Sequence, residues 1–383
     1  SALTRKKTTE ANISCEFEFR LSEPLDGTRQ DPLYSSTDRK FEEFTAAVSL
    51  GLFDYLRKSH SKGFVISMSG GADSASAATL VAAMIRNAIE ELGIERFKRR
   101  LHYIETLQPL DSSEEVIAEL LTCVYQRTKN NSEETLSNAR AVSQELGAAF
   151  FVLEIDSLVD LYTSVVSEAL QYKPTWKQDD LSLQNIQART RAPSVWMIAN
   201  LKNALLLATS NRSEAAVGYT TMDGDTCGGI SPIAGIDKAF LLEWMGWIST
   251  RGFRALPAVR SLSRILSSQP SAELRPLENA QSDEADLMPY RVLDRIERLA
   301  IRDKLSPKEV YQALQSLESH TTAAQLKEWV IKFFTLWYRN QWKRERYAPS
   351  FHLDDENLDP KSWCRFPILS GGYQKELEEL EKL

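Results

Sequence analysis

The chain has 383 residues, of which 43% are apolar, and it carries a net charge of −7. That length and apolar content build one large domain or two ordinary ones around a proper core, which excludes a disordered or fibrous protein. The acidic balance excludes bulk nucleic-acid binding but leaves room for a local basic pocket, so small anionic ligands are the expected partners.

Residues 1–38 are polar and interrupted by Pro24, Gly27 and Pro32, and they read as a linker or arm that follows something upstream. No apolar run reaches about 18 residues, and SALTRKKTTE has no apolar stretch behind its basic residues. The expected location is therefore cytoplasmic, with no membrane and no nucleic acid among the partners. Cys15, Cys123, Cys227 and Cys364 are scattered without a CxxC pair and read as reduced thiols.

From Phe41 onward the spacing of Phe44, Val48, Leu50, Leu52, Phe53 and Leu56 is helical, and that helix leads into a strand at 64–68. A glycine turn follows, then a long helix over 74–92 ended by Gly93. LHYIETL, 101–107, reads as an extra strand, and 120–125 as the next strand of the main sheet. Ser132 is placed to cap a helix that runs to Gly147. A strand at 150–155 and a helix at 156–170 come next. After a polar loop, 192–201 is helical, 204–208 is a strand, and Asn211 starts another helix. Strands alternating with helices predict an α/β fold with a doubly wound parallel sheet.

Beyond Lys238 the pattern changes to helices at 240–249, 286–300, 307–317 and 323–342, separated by polar, proline-marked loops. The aromatic stretch 329–342 reads as core ahead of interface, and the Glu/Lys-rich helix at 373–383 as a solvated end. The expected division is thus an arm at 1–38 and a domain at 39–383. Within that domain, 39–240 forms an α/β nucleotide-binding core and 241–383 a mainly helical extension.

Ser69-Gly-Gly-Ala-Asp-Ser74 sits where a parallel strand turns into a helix, which places free backbone N–H groups and the positive helix end at the sheet's carboxyl edge. Gly70 and Gly71 let a phosphate approach the main chain, and Ser69 and Ser74 add hydroxyl donors. Asp73 would repel that phosphate unless a cation such as Mg²⁺ stood between them. The lysine of the Walker loop is missing, which argues against a kinase-like cradle. A tight turn with Asp73 as an ordinary first-turn residue remains the alternative at this point.

A second constellation narrows the choice. Thr209 and Asn211 stand at the end of the strand 204–208, and Glu214 falls in the first turn of the following helix. Asp225 lies in a glycine-rich loop suited to a lid, and Lys238 follows the Pro232-Ile-Ala-Gly turn. Two carboxylates for a metal, hydroxyls for phosphates and a lysine for the leaving group form a chemical set. Taken singly, Glu214 reads as a helix-terminal charge, Asp225 as a turn former and Lys238 as a surface residue.

The SGGADS turn resembles the pyrophosphate loop of the N-type ATP pyrophosphatases. The stretch Asn211-Arg-Ser-Glu-Ala-Ala-Val-Gly-Tyr219 with Gly224-Asp225, Pro232-Ile233 and Lys238 is similar to the NAD⁺ synthetase family. So are Asn185-Ile-Gln-Ala-Arg-Thr-Arg191, Ser271-Ala-Glu-Leu274 with Gln281-Ser-Asp-Glu284, and Trp342-Lys343-Arg344. The resemblance implies an adenine nucleotide alpha hydrolase-like fold with a helical C-terminal extension. It implies ATP-dependent amidation of deamido-NAD to NAD⁺ through an acyl-adenylate, releasing AMP and pyrophosphate.

By that resemblance Asp73 and Glu214 would hold Mg²⁺, and Ser69, Gly70, Gly71, Ala72, Asp73 and Ser74 would grip pyrophosphate. Thr209 and Lys238 would contact ATP or the adenylate, and Asp225 would position or deprotonate ammonia. Asn185, Arg189, Glu214 and Lys343 would line the deamido-NAD site. Short ammonia-dependent members carry lysine where Met222 stands and aspartate where Gly229 stands. The loop 224–229 and the long C-terminal region look more like the long, glutamine-dependent members. Those begin with a glutaminase domain that this sequence does not contain, so the nitrogen is expected as free ammonia or from a separate glutaminase domain. The resemblance also implies a homodimer or higher homo-oligomer. The alternatives are another N-type pyrophosphatase, either a GMP synthetase-like amidotransferase or a tRNA-modifying adenylating enzyme, and a non-catalytic nucleotide-binding module.

Overall fold

The structure, a computed structural model, describes residues 38–267, 273–276, 283–318, 320–364 and 371–382. Most of the expected arm, Cys15, and Ser271, Ala272, Gln281 and Ser282 of the family-like motifs lie outside these described residues. The α/β part runs α1 (Arg39–Ser59), β1 (Phe64–Ser67), α2 (Ala72–Leu92), α3 (Ile94–Arg100), α4 (Ser113–Leu120), β2 (Leu121–Arg127), α5 (Glu133–Leu146) and β3 (Ala149–Glu154). It continues through α6 (Asp156–Leu170), α7 (Asp180–Lys202), β4 (Leu205–Leu207), α8 (Arg212–Val217), α9 (Lys238–Arg251) and α10 (Leu262–Ser267). The remaining helices are α11 (Asp283–Asp286), α12 (Tyr290–Glu297), α13 (Pro307–Leu317), α14 (Ala323–Arg339), α15 (Gln341–Arg344) and α16 (Gln374–Glu381).

The four strands are parallel in the order β3-β2-β1-β4, with Phe64 opposite Leu121 on one side and Leu205 on the other. Chain direction across the sheet reverses at β1. A crevice therefore opens outside the carboxyl ends of β1 and β4, the place where open α/β sheets bind ligands. The sheet is doubly wound because its strands are apolar on both faces. Phe64 and Ile66 belong to the core cluster that also takes in residues of α1, α2, α9 and α10, while Val65, Val124 and Leu206 cluster with Val195 and Ala199 of α7. Buried alanines along α2, among them Ala75, Ala78 and Ala82, let that helix lie close against sheet and α1. A second apolar cluster joins α8 to α12, α13, α14 and α16. Phe333, Phe334 and Trp337 are buried in it, so the aromatic stretch is largely core.

Three local expectations are corrected. Residues 101–107 form a turn and a 3₁₀ segment, because Leu101, Ile104 and Leu107 are all buried at a spacing of three. The helix expected from residue 192 begins at Asp180. Its apolar pattern is inverted, with Gln187 and Thr190 buried and Leu181, Met197 and Leu201 exposed, and Pro193 inside it mimics a helix start. The C-terminal helix is docked, since Leu377 and Leu380, three residues apart, enter the second cluster and the Tyr373 ring lies 4.7 Å from Phe334. Among the described residues no helix is long and apolar enough to cross a membrane.

Candidate active site

The turn after β1 is held in place by its own hydroxyls. Ser69 Oγ lies 3.1 Å from Ser74 Oγ and accepts from Gly71 N at 3.2 Å, and Ser74 Oγ accepts from Ser69 N and donates to Gly71 O. Gly70 has φ +83°, and a Cβ there would run into the carbonyl of Thr135 in the first turn of α5. Only glycine fits that approach. Gly71 caps α2 and Ala72 is its first residue, so the turn delivers the helix's free N–H groups to the crevice. Across this contact, Ser132 caps α5 as expected, accepting from Thr135 N at 3.2 Å. Glu273 of the SAEL stretch accepts from Ser132 Oγ at 2.7 Å and from Thr135 Oγ1 and Asn131 Nδ2 at 2.9 Å.

From the other bank of the crevice come the residues after β4. Asn211 caps α8 by accepting from Glu214 N at 3.0 Å, and its Nδ2 donates to Asp73 Oδ1 at 2.9 Å. One amide thus ties the two helix starts together. Thr209 is half-buried directly after β4. Lys238, the first residue of α9, is almost wholly buried. Its ammonium is ion-paired with Asp73 and lies 3.5 Å from Glu214 Oε1 and 5.6 Å from the Tyr290 ring centroid. A cation in the first turn opposes the helix dipole, and two carboxylates from α2 and α8 offset that cost. Asp73, Glu214 and Lys238, expected from 165 residues of sequence separation, therefore meet at one point.

Asp225 on the loop 220–229 and Lys343 of α15, which reaches that loop's start, form a second group. Asp225 Oδ1 accepts from Thr221 N at 2.7 Å. Asp225 is exposed at the surface, yet desolvation by the protein around it pushes its pKa up to about 6 against the pull of Thr221 N–H and Lys343. Lys343 Nζ donates to Gly218 O at 2.6 Å and Thr220 O at 2.8 Å, and burial lowers its pKa. Asn185 and Arg189 on α7 brace the same loop: Asn185 Oδ1 accepts from Thr221 Oγ1 at 3.2 Å, and Arg189 Nε donates to Met222 O at 3.0 Å. Gly229 N donates to Leu206 O at 2.8 Å, which lays the end of this loop along β4.

Beneath the site lies an ion cluster that sequence reasoning missed. Arg212, 1% exposed, reaches Glu356 at 2.6 Å, Glu297 at 2.9 Å, Asp237 at 3.1 Å and Asp354 at 3.5 Å. Burial works against its charge, yet the four carboxylates more than offset it and hold its pKa above the ordinary value. Burial also pushes Glu297 up to about 7, outweighing its arginine partner. Asp294, raised by burial and by neighbouring Asp237 and Glu297, accepts from Ser213 Oγ and from Ala239 N, and Ser213 Oγ in turn accepts from Lys238 N at 2.8 Å. The cluster locks the starts of α8 and α9 together and so aims Glu214 and Lys238. The capping pattern Asn211-x-x-Glu214 was the available signal for Asn211. A single Arg212 in sequence gives none for burial.

Asp73 and Glu214 converge on one ammonium, and two hard carboxylates completed by phosphate oxygens are the donor set that Mg²⁺ takes. The residues present fit that ion.

The profile of the NAD synthase family matches residues 44–345. A glutamine-dependent NAD(+) synthetase of Oryza sativa subsp. indica is 31% identical over 82% of this chain and 45% of its own length. One of Aquifex aeolicus is 31% identical over 85% of this chain and 48% of its own. The crystal structure of a glutamine-dependent NAD(+) synthetase from Cytophaga hutchinsonii matches with a TM-score of 0.79 at 46% identity, covering 89% of this chain and 56% of that one. The chain spans about half the length of the curated relatives it matches.

Proposed function

This chain belongs to the NAD synthase family, and from that premise we propose that it is a ligase that converts deamido-NAD to NAD⁺ with ATP and ammonia. The observation that carries this reading is the meeting of Asp73, Glu214 and Lys238 at the sheet's switch point, beside the turn 69–74. The nicotinate carboxylate attacks the α-phosphorus of ATP, the bond to pyrophosphate breaks, and an acyl-adenylate forms. Ammonia then attacks the acyl carbon and AMP leaves with the former carboxylate oxygen.

The chain's residues suit each requirement. N–H groups of Gly71, Ala72 and the following turn would receive the departing pyrophosphate, with Ser69 and Ser74 as further donors. Lys238 would offset charge on the α-phosphate, and Thr209 would contact the nucleotide. Asp73 and Glu214 would hold Mg²⁺, which when bound supplies Lewis-acid stabilisation of phosphate oxygens. Asp225 would orient ammonia and take its proton, since a carboxyl with a pKa of about 6 is ionised at neutral pH yet basic enough to accept. The loop 220–229, braced by Asn185, Arg189 and Lys343, would line the deamido-NAD site and shield the adenylate from water.

Residues 39–383 would act as the synthetase domain, with nitrogen supplied as free ammonia or by a glutaminase domain. A second copy of the chain would cover the exposed apolar face formed by Leu161, Val165 and Leu170 of α6 with Met197 and Leu201 of α7, giving a homodimer. Incubation with ATP, Mg²⁺ and deamido-NAD, plus either ammonium or glutamine, tests the function. NAD⁺, AMP and pyrophosphate in equal amounts with ammonium are expected, and no NAD⁺ with ammonium overturns it.

A further inference from the structure

On α7, Ala199, Val195, Arg191 and Gln187 recur every four residues and so share one helix face. The lower two pack on Val65, Val124 and Leu206. Strand alternation puts Ser67 and Gln126 on that same sheet face, two residues nearer the carboxyl edge. Ser67 Oγ donates to Gln126 Oε1 at 2.9 Å. Arg191 thus enters the layer between helix and sheet at the level of the crevice floor. Its Nε and Nη2 are buried and meet no hydrogen-bond partner, and the same holds for Gln126 Nε2 and Gln187 Oε1.

Those two arginine nitrogens form one edge of the guanidinium, and their N–H bonds run parallel. That edge is the one that grips a phosphoryl or carboxylate group through two oxygens. Nearby carboxylates do not fill it. Glu273 is engaged by Asn131, Ser132 and Thr135, and Asp225 by Thr221. Glu273 and Asp225 act on Arg191 only through space, and burial depresses its pKa despite them. Arg191 as a whole is half-buried, so the part that lacks a partner is the buried Nε–Nη2 edge.

Resting on the functional reading above, we propose that Arg191 grips two phosphoryl oxygens of a bound substrate and is a substrate-binding residue of this site. The side chain swings about its torsions to bring the closed edge to the ligand. A nucleotide supplies both kinds of missing partner: phosphoryl acceptors for Arg191 and Gln126, and ribose hydroxyl donors for Gln187. The phosphoryl group belongs either to ATP or to the dinucleotide.

Calorimetric titration of the chain with α,β-methylene-ATP plus Mg²⁺, and separately with deamido-NAD, distinguishes the two sources. The wild type is measured first, and Arg191→Met and Arg191→Lys follow, each with a ligand-free thermal melt. Loss of a charge-assisted bidentate contact predicts a rise in Kd of about ten- to a hundredfold for one of the two ligands in Arg191→Met. The ligand-free melting temperature should stay at or above the wild-type value, because two buried donors without partners have been removed. Arg191→Lys, which keeps the charge without the parallel donors, should also weaken the same ligand while remaining folded. Kd values within twofold of wild type for both ligands in both variants overturn the proposal. So does a melting temperature lowered by several degrees with affinities intact, which marks a structural role. A wild type that binds neither ligand overturns the functional reading itself, and this assignment with it.

Discussion

Gly70→Ala is the sharpest test of how the turn is built. The backbone there has φ +83°, which costs a residue with a Cβ about 1–2 kcal/mol. The new methyl would also press on the Thr135 carbonyl, 2.8 Å from its carbon and 3.0 Å from its Cα, closer than real Cβ atoms come to backbone. Separating α2 from α5 to relieve that overlap adds about 1–3 kcal/mol. Gly147→Ala is the matched control, because Gly147 also has φ +83° in a left-handed conformation, with nothing within 4 Å of an added Cβ. Urea denaturation at unchanged m-value should therefore show Gly70→Ala losing roughly 1–3 kcal/mol more than Gly147→Ala. Titration with Mg²⁺–pyrophosphate should show weakened binding in the first variant only. Equal destabilisation of the two variants, with pyrophosphate affinity unchanged, would refute both the close approach and the role of the turn.

Asp73→Asn should abolish formation of AMP and pyrophosphate, and Asp225→Asn should impair NAD⁺ formation from ammonia at least as much; wild-type rates in a product assay would refute both roles. Arg212→Met leaves Glu297 and Asp237 without their cation in a buried cluster, while Glu356 keeps Arg298 and Arg302, so stability measured by denaturation should fall by about 3–5 kcal/mol. Amidation at fixed free ammonia should rise with pH through about 6, as Asp225 loses its proton, and Asp225→Asn should lack that limb. For Glu297, raised from 4.5 to about 7, the folded state binds the extra proton between those values. Its contribution is fully present below pH 4.5 and is lost as pH rises through about 7, and Glu297→Gln should flatten that part of the stability profile.

The strand–turn–helix units were legible where local chemistry decides the backbone. An apolar run ending in Ser69-Gly-Gly, or Ser132 and Gly147 bracketing α5, needs no distant partner to be read. Asp73, Glu214 and Lys238 were legible as chemical types, and the fold brings them together because the loops after β1 and β4 flank one crevice. What sequence concealed depends on tertiary surroundings. α7 buries Gln187 and exposes Met197, against the usual pattern, so its first three turns read as loop. Arg212 reads as a surface charge until Glu297 arrives from α12 and Glu356 from the loop between α15 and α16. The apolar residues at 101–107 alternate well enough to imitate a strand, yet their burial follows a three-residue period.

A carboxylate that is adenylated before it is amidated gives up one of its oxygens to AMP. Deamido-NAD labelled with ¹⁸O in both nicotinate carboxylate oxygens, turned over with ATP and ammonium in ordinary water, tests it directly by mass spectrometry of the products. One ¹⁸O atom should appear in the phosphate of AMP and the other should remain in the NAD⁺ amide. Label in pyrophosphate, or AMP free of ¹⁸O, would contradict the account.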